Sequence, residues 1–159
     1  MGTNIVIYMR WVQYFRELAH TVKKKSKDKN TQIGAVIVGT DKEIVSTGYN
    51  SFPRGINDEV SERQERPEKY HWFEHGERNA IYNAARIGVS TKGTTMYLSC
   101  GIPCSDCARG IINAGIVRIF CERAGGATGI KWAESAERSW DMFEEAGVKV
   151  CFYDDDFHV

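Results

Sequence analysis

Proline is scarce, with three residues in 159, and the chain has neither a long apolar run nor a surplus of charge of either sign. No stretch approaches the roughly 20 apolar residues that a membrane-spanning helix needs, so no membrane segment is expected. Lysine plus arginine and aspartate plus glutamate balance at 21 each. A balanced chain carries no global electrostatic footprint for a nucleic-acid polymer. The opening MGTNIVIYMRW has no basic region ahead of its short apolar patch and no small-residue cleavage site, which argues against a signal peptide. Val6 stands where myristoylation requires Ser or Thr. Internal repeats and low-complexity tracts are also missing. The cysteines number five, an odd count that suits a reducing compartment better than a disulfide framework, so a cytoplasmic location is expected. A hydrophobic fraction of 42% and a charged fraction of 26% belong to a globular chain of one domain, here taken as residues 1–159.

What is present is a set of metal-type donors at telling spacings. His75-Gly76-Glu77 is followed, 26 residues after Glu77, by Pro103-Cys104-Ser105-Asp106-Cys107. One imidazole and two thiolates leave the fourth position of a tetrahedral Zn²⁺ open, which separates a catalytic zinc site from a closed structural one. Zinc lowers the pKa of a bound water from about 15.7 towards about 7, and a carboxylate two residues past the histidine can move the proton.

Each half alone is weak. A lone H-x-E is usually surface decoration, and a lone C-x-x-C can be half of a structural zinc site, a redox dithiol or a packed core pair. The other cysteines, Cys100, Cys121 and Cys151, are scattered singly, which argues against a zinc ribbon. A thioredoxin-like motif would come early in the chain and leave the H-x-E without a use. Neither alternative accounts for both halves together. Cys100 reads as a small core residue, His71 as an ordinary loop histidine, and Trp132 with Trp140 as packing residues, substrate stacking being the lesser alternative. Lys23, Lys24, Lys25, Lys27 and Lys29 form the densest basic run, either a solvated helix end or an approach to one substrate phosphate. Gly125, Gly126 and Gly129 read as a linker rather than a phosphate cradle, since no Lys-Ser/Thr follows.

Periodicity places the motifs. Trp11, Phe15, Leu18 and Val22 recur at helical spacing and predict a first helix from about Arg10 to Lys24. Ile33 to Val38 and Glu43 to Gly48, separated by Gly39-Thr40-Asp41-Lys42, predict a hairpin. The polar stretch from Asn50 to Glu74, with Pro53, Gly55 and Pro67, predicts a functional loop leading into His75. Helices follow over Glu77 to Ile87, Cys104 to Gly115 and Trp132 to Ala146, alternating with strands at Thr94 to Ser99, Ile116 to Glu122 and Val148 to Tyr153. Both ligand sets thereby fall at helix N-termini, where the positive pole and free N–H groups favour thiolate. The order α-β-β-α-β-α-β-α-β predicts an α/β fold with a mixed five-stranded sheet covered on both faces.

The motifs resemble those of the zinc-dependent cytidine and deoxycytidylate (dCMP) deaminases, in which the Glu is general acid/base rather than ligand. The likeness extends to Ser26-Lys27-Asp28-Lys29-Asn30-Thr31-Gln32-Ile33-Gly34-Ala35, similar to that family's first-strand entry. Gly48-Tyr49-Asn50 with Pro53 and Gly55 looks like its G-Y-N-x-x-P-x-G loop, and His75-Gly76-Glu77-x-Asn79-Ala80-Ile81 like its H-A-E-x-N-A-I. The resemblance implies a cytidine deaminase-like three-layer α-β-α sandwich. It implies Zn²⁺ on His75, Cys104 and Cys107, Glu77 as proton carrier, and hydrolysis of dCMP to dUMP plus ammonia. It implies substrate contacts from Asn50, Ser26 and Lys27, with Asn50 alternatively a simple Asx-turn residue; Pro103 beside the metal motif and Arg123, chosen only as a nearby cation, are further candidates. It also implies a homo-oligomer, hexamer or dimer, with dCTP and dTTP as possible allosteric effectors. Alternatives kept open are 5-methyl-dCMP, dCTP, cytidine or a purine base as substrate, a tRNA- or DNA-editing deaminase, and a non-catalytic nucleotide-binding regulator. Two departures stand out. Gly76 replaces the usual Ala, a change expected to be tolerated, and beyond Cys121 the chain lacks a Tyr common in the family, leaving Arg123 as the nearest cation.

Overall fold

Alternation of side chains along the strands sorts the core into two layers, one on each face of a single sheet. The computed structural model describes residues 8–123 and 130–155. Five strands, β1 (Gly34–Val38), β2 (Ile44–Tyr49), β3 (Thr95–Leu98), β4 (Arg118–Cys121) and β5 (Lys149–Phe152), run in the order β2-β1-β3-β4-β5. β1 is antiparallel to both β2 and β3, whereas β3, β4 and β5 are mutually parallel. The sheet is mixed, as expected.

On one face Val36, Val38, Tyr97, Phe120 and Cys151 pack with Phe15 and Ala19 of helix α1 (Trp11–Val22). On the other, Ala35, Ile37, Met96, Leu98 and Ile119 pack with Ala80 of α3 (Gly76–Ile87), Ile111 of α4 (Ser105–Asn113) and Phe143 of α5 (Ile130–Ala146). Odd and even positions of one strand feeding opposite layers is the period of two expected of a sheet buried on both sides. The three-layer α-β-α sandwich inferred from sequence is what forms.

Boundaries shift by one or two residues. The first helix ends at Val22 and tightens into a 3-10 turn over Lys23–Lys25, cations at the negative pole of the helix. Helix α3 stops at Gly88, whose φ of 77° only glycine adopts without cost. The stretch from Asn50 to Glu74 is an ordered loop. Ser51 and Glu74 exchange backbone hydrogen bonds of 3.1 and 2.8 Å at its base, and it carries a 3-10 turn (Ser61–Gln64) and the short helix α2 (Lys69–Trp72). Gly125, Gly126 and Gly129 lie outside the described residues.

Gly48 brings β2 hard against α3. A Cβ there would stand 2.2 Å from the Ala80 amide nitrogen and 2.5 Å from the Gly76 carbonyl oxygen, so only glycine allows the two backbones to meet. Gly76 is also close-packed: a Cβ would approach the Ile33 carbonyl oxygen to 3.0 Å and the Asn50 nitrogen to 3.3 Å. An Ala at this position would therefore press on the loop beside the site. Glycine was expected to be tolerated here, and the close approach of the Ile33 and Asn50 backbone agrees with that expectation.

Candidate metal centre and active-site cleft

His75 and Cys104 are both N-cap residues, of α3 and α4 respectively, held extended with φ/ψ of −75°/150° and −66°/164°. Their carbonyls accept the first helical bonds, from the amides of Asn79 and Ala108, each at 2.9 Å. Cys107 sits one turn into α4 and is fully buried. Two helix N-termini thus converge and bring the three donors together: His75 Nδ1 lies 3.5 Å from Cys104 Sγ and 3.4 Å from Cys107 Sγ. The ligand atoms all fall within 4.8 Å of one another, and among the described residues no other group of three such side chains does. Neither His71 nor Cys100 joins it; Cys100 belongs to the core beneath, where burial pushes its thiol well up.

Electrostatics fit a cation between these groups. A hydrogen bond from the Cys107 thiol pulls Cys104 down to about 4, offsetting the opposite pull of burial, while the same bond and burial push Cys107 up. Two thiols sharing one proton lose it most readily to a metal. Arg78 Nη1 approaches Cys107 Sγ to 3.5 Å and its Nε donates to Glu74 Oε1 at 2.7 Å. Burial works against the guanidinium's charge, but Cys107 and Glu74 outweigh it. Glu77 projects from the first turn of α3 and is 2% exposed, and its Oε2 has no hydrogen-bond partner. Burial pushes its carboxyl up, with His75 pulling the other way. An orphaned carboxylate oxygen in the interior is costly unless something passes a proton to it or takes one from it. The donor set and this open oxygen fit a three-ligand Zn²⁺ with a water beside the carboxylate.

The centre opens into a cleft of about 1260 Å³ lined by His75, Glu77 and Cys104, with Asn50, Lys69 and Trp132 among its walls. The other residues singled out from sequence are distributed unevenly around it. Asn50 lines the cleft, with its amide engaged: Nδ2 donates to the Thr31 carbonyl at 2.8 Å and to Asp28 Oδ2 at 3.3 Å, and Oδ1 accepts from the Ile33 amide at 2.8 Å. Lys27 lines it too, paired with Asp58 at 2.9 Å. Ser26 is buried, donating to the Asn50 carbonyl at 2.7 Å, and Pro103 is buried completely; neither lines the cleft. Arg123 points elsewhere, bridging Asp154 at 2.9 Å and also Asp155.

Sequence reasoning missed Lys69 and undervalued Trp132. Lys69 looked like one more charge in a polar loop, yet it is buried against Asp28, with Nζ–Oδ distances of 2.8 and 3.0 Å. Trp132 and Trp140 were grouped as packing residues. Eight positions on a helix turn the side chain by about 80°, enough to separate their duties. Trp140 stacks on Phe152, whereas the Trp132 ring lies 6.3 Å from that of His75, tilted by 33°.

Comparison with known proteins agrees with this geometry. The family model described as the cytidine and deoxycytidylate deaminase zinc-binding region matches residues 9–123. An uncharacterized deaminase in the luxG 3′ region of Aliivibrio fischeri is 37% identical over 141 residues, covering 89% of this chain and 92% of that protein. The deoxycytidylate deaminase of Homo sapiens is 38% identical over 118 residues, covering 71% of this chain. The match spans 65% of the human protein's length. In three dimensions the dCMP deaminase of cyanophage S-TIM5, solved in complex with dCMP and dUMP, superposes with a TM-score of 0.70 at 22% identity, over 88% of this chain and 94% of that one. Sequence motifs, converging helix N-termini and family model agree: the chain belongs to the cytidine and deoxycytidylate deaminase family with its zinc-binding region.

Proposed function

We propose that this protein hydrolyses dCMP to dUMP and ammonia, and that residues 1–159 act as one deaminase domain. The observation that carries the reading is the buried Glu77 carboxylate with one unpartnered oxygen beside His75, Cys104 and Cys107. A metal site of purely structural use needs no such group. The human relative at 38% identity, named for its action on deoxycytidylate, supports the choice of substrate.

Zn²⁺ held by His75 Nδ1 and the Sγ atoms of Cys104 and Cys107 supplies, when bound, a water acidified toward neutrality. Glu77 takes a proton from the attacking water and passes it to N3 of the pyrimidine as C4 is attacked. It then takes the second proton from the hydroxyl now on C4 and delivers it to the amine, which leaves as ammonia while the C4 carbonyl forms, so water and dCMP balance dUMP and NH₃. Arg78, bound to Glu74 and to Cys107, steadies the α3 and α4 ends against each other. The Trp132 ring beside His75 gives a planar base a wall. Asn50 keeps one Oδ1 lone pair for a sugar hydroxyl, its other capacity being engaged. Lys27, with Lys23 and Lys29 along the same cleft, provides cations for a single phosphate. Ser26 and Pro103 shape the wall from beneath.

Regulation by dCTP and dTTP is part of the proposal. What supports it is a second hollow of about 240 Å³ lined by Tyr49, Pro53, Arg54 and Gly55, which shares Lys27 and Asp58 with the main cleft. Self-association into a hexamer or dimer is supported by exposed Trp11 and Tyr14 on α1. Among the described residues no helix is long and apolar enough to cross a membrane.

The test is ammonia release by zinc-loaded protein across cytosine and cytidine nucleosides, mono- and triphosphates, 5-methyl analogues and purine bases. dCMP is expected to give the highest kcat/KM. Preference for a nucleoside or purine would overturn the assignment, and a dCMP curve indifferent to dCTP and dTTP would remove the regulatory part.

A further inference from the structure

Among the described residues only three charged side chains are buried, Asp28, Lys69 and Glu77, and all three line the same cleft. Glu77 has a chemical task. Asp28 and Lys69 have none in the mechanism above, yet each is withdrawn from water, with 6% and 7% of the side chain exposed. Taking a charge out of water costs several kcal/mol, and a buried ion pair returns little net stability over an apolar pair of the same volume. A pair kept in such a place is explained better by what it holds still than by the stability it adds.

What it holds is one wall of the cleft. Asp28 Oδ1 accepts from the amides of Asn30 at 2.9 Å and Thr31 at 3.3 Å, and Oδ2 accepts from Asn50 Nδ2. Its own amide donates to Ser26 Oγ at 3.2 Å. Asp28 is therefore the hub of residues 26–33 and orients the Asn50 amide. Lys69 is the clamp from the opposite side: its Nζ reaches both Asp28 oxygens, while its backbone belongs to α2 in the loop that leads to His75. Phe73, on which the ammonium also rests at 5.4 Å, lines the cleft as well. The pair ties this wall to the 50–74 loop across 41 residues of sequence, and it is buried, whereas the Lys27–Asp58 pair between the same two segments is exposed.

We propose that Lys69 and Asp28 are positioning residues, an internal clamp that presents Asn50 and the 26–33 wall to the substrate in one fixed geometry. The proposal rests on reading this cleft as the deaminase site. Neither residue touches the reacting atoms; their effect passes through Asn50 and the wall. Substrate binding, and not the chemical step, is what the clamp governs.

The test compares the wild type with Lys69→Met, Asp28→Asn and the double variant, each zinc-loaded. Each single variant is expected to raise KM for dCMP by roughly tenfold, the worth of one charge-assisted bond, with kcat within about threefold of wild type. The double variant should be no worse than the poorer single one, because it leaves no unpaired charge, and it remains folded if a single variant does not. Amide exchange of residues 26–33 should quicken in the double variant while α3 and α4 keep their protection and zinc content is unchanged. Unchanged KM in a folded double variant, or unchanged exchange of residues 26–33, would overturn the proposal. The exchange arm needs no substrate. A wild type that deaminates nothing on the panel would therefore refute the function, while the exchange result still decides the clamp.

Discussion

The floor and the side wall of the cleft are built in opposite ways. The floor is His75, Cys104 and Cys107 at the first turns of two helices, donors fixed by backbone that the adjoining helices hold rigid. The wall is residues 26–33 and Asn50, irregular backbone held by side-chain hydrogen bonds and a buried ion pair from a distant loop. Under the proposed function, chemistry that must be accurate to a fraction of an ångström sits on the floor, whereas recognition of the substrate's periphery is left to the wall. Substitutions should accordingly divide into those that abolish turnover and those that change KM.

The sharpest division comes from the floor. Glu77→Gln should cut kcat by about a thousandfold, within the range of general acid–base catalysis, with zinc content and thermal midpoint retained. Zinc analysis alongside a kcat measurement checks it. Cys104→Ala should lose both metal and turnover, and chelator treatment of the wild type should do the same, reversed by added Zn²⁺. A smaller effect is expected at Trp132. Its replacement by Ala should raise KM for dCMP about tenfold, the scale of one lost base–aromatic contact, and Phe should restore most of it. If kcat fell instead with KM unmoved, Trp132 would belong to the floor and the comparison would need redrawing.

The smallest effect concerns stability, away from the cleft. Glu122 is partly buried between Arg16 and His20 of α1, at 2.8 and 2.9 Å, and ties the helical layer to the end of β4. Burial alone would raise its pKa, but the hydrogen bonds from Arg16 and His20 prevail and hold it below the usual carboxylate value. A carboxylate with a depressed folded pKa contributes stability above its unfolded value of about 4.3, and loses it as pH falls through the folded one. Glu122→Gln should cost about 1 kcal/mol or less at pH 7, since Arg16 is partly solvent-screened. The difference from wild type should vanish in acid. Urea midpoints followed from pH 7 downward, with the difference shrinking as acid is added, check this.

The same contrast explains what could be read from the residues. The floor was legible because its determinants are local: H-x-E and C-x-x-C are fixed in spacing, and each falls at the start of a helix read from periodicity. The unbroken apolar run from Ile33 to Val38 likewise announced a strand, and the structure sends Ala35 and Ile37 to one layer and Val36 and Val38 to the other. The wall was not legible because its logic is long-range. Lys69 is flanked by Glu68 and Tyr70 and looks solvated, and only the fold brings it to Asp28. Asn50 was found through its loop motif, but nothing local said that its amide would be consumed by Thr31, Asp28 and Ile33. Arg123 was chosen as the nearest cation in the chain. The parallel pairing of β4 with β5, Cys121 opposite Phe152, sets it beside Asp154 and Asp155 instead of the cleft.

The most direct test is a paired measurement on Glu77→Gln: bound zinc and ammonia release from dCMP, both against wild type. We predict one zinc per chain in both proteins and turnover in the wild type alone. Undiminished deamination by the variant, or a zinc-loaded wild type inert toward dCMP, would contradict the account.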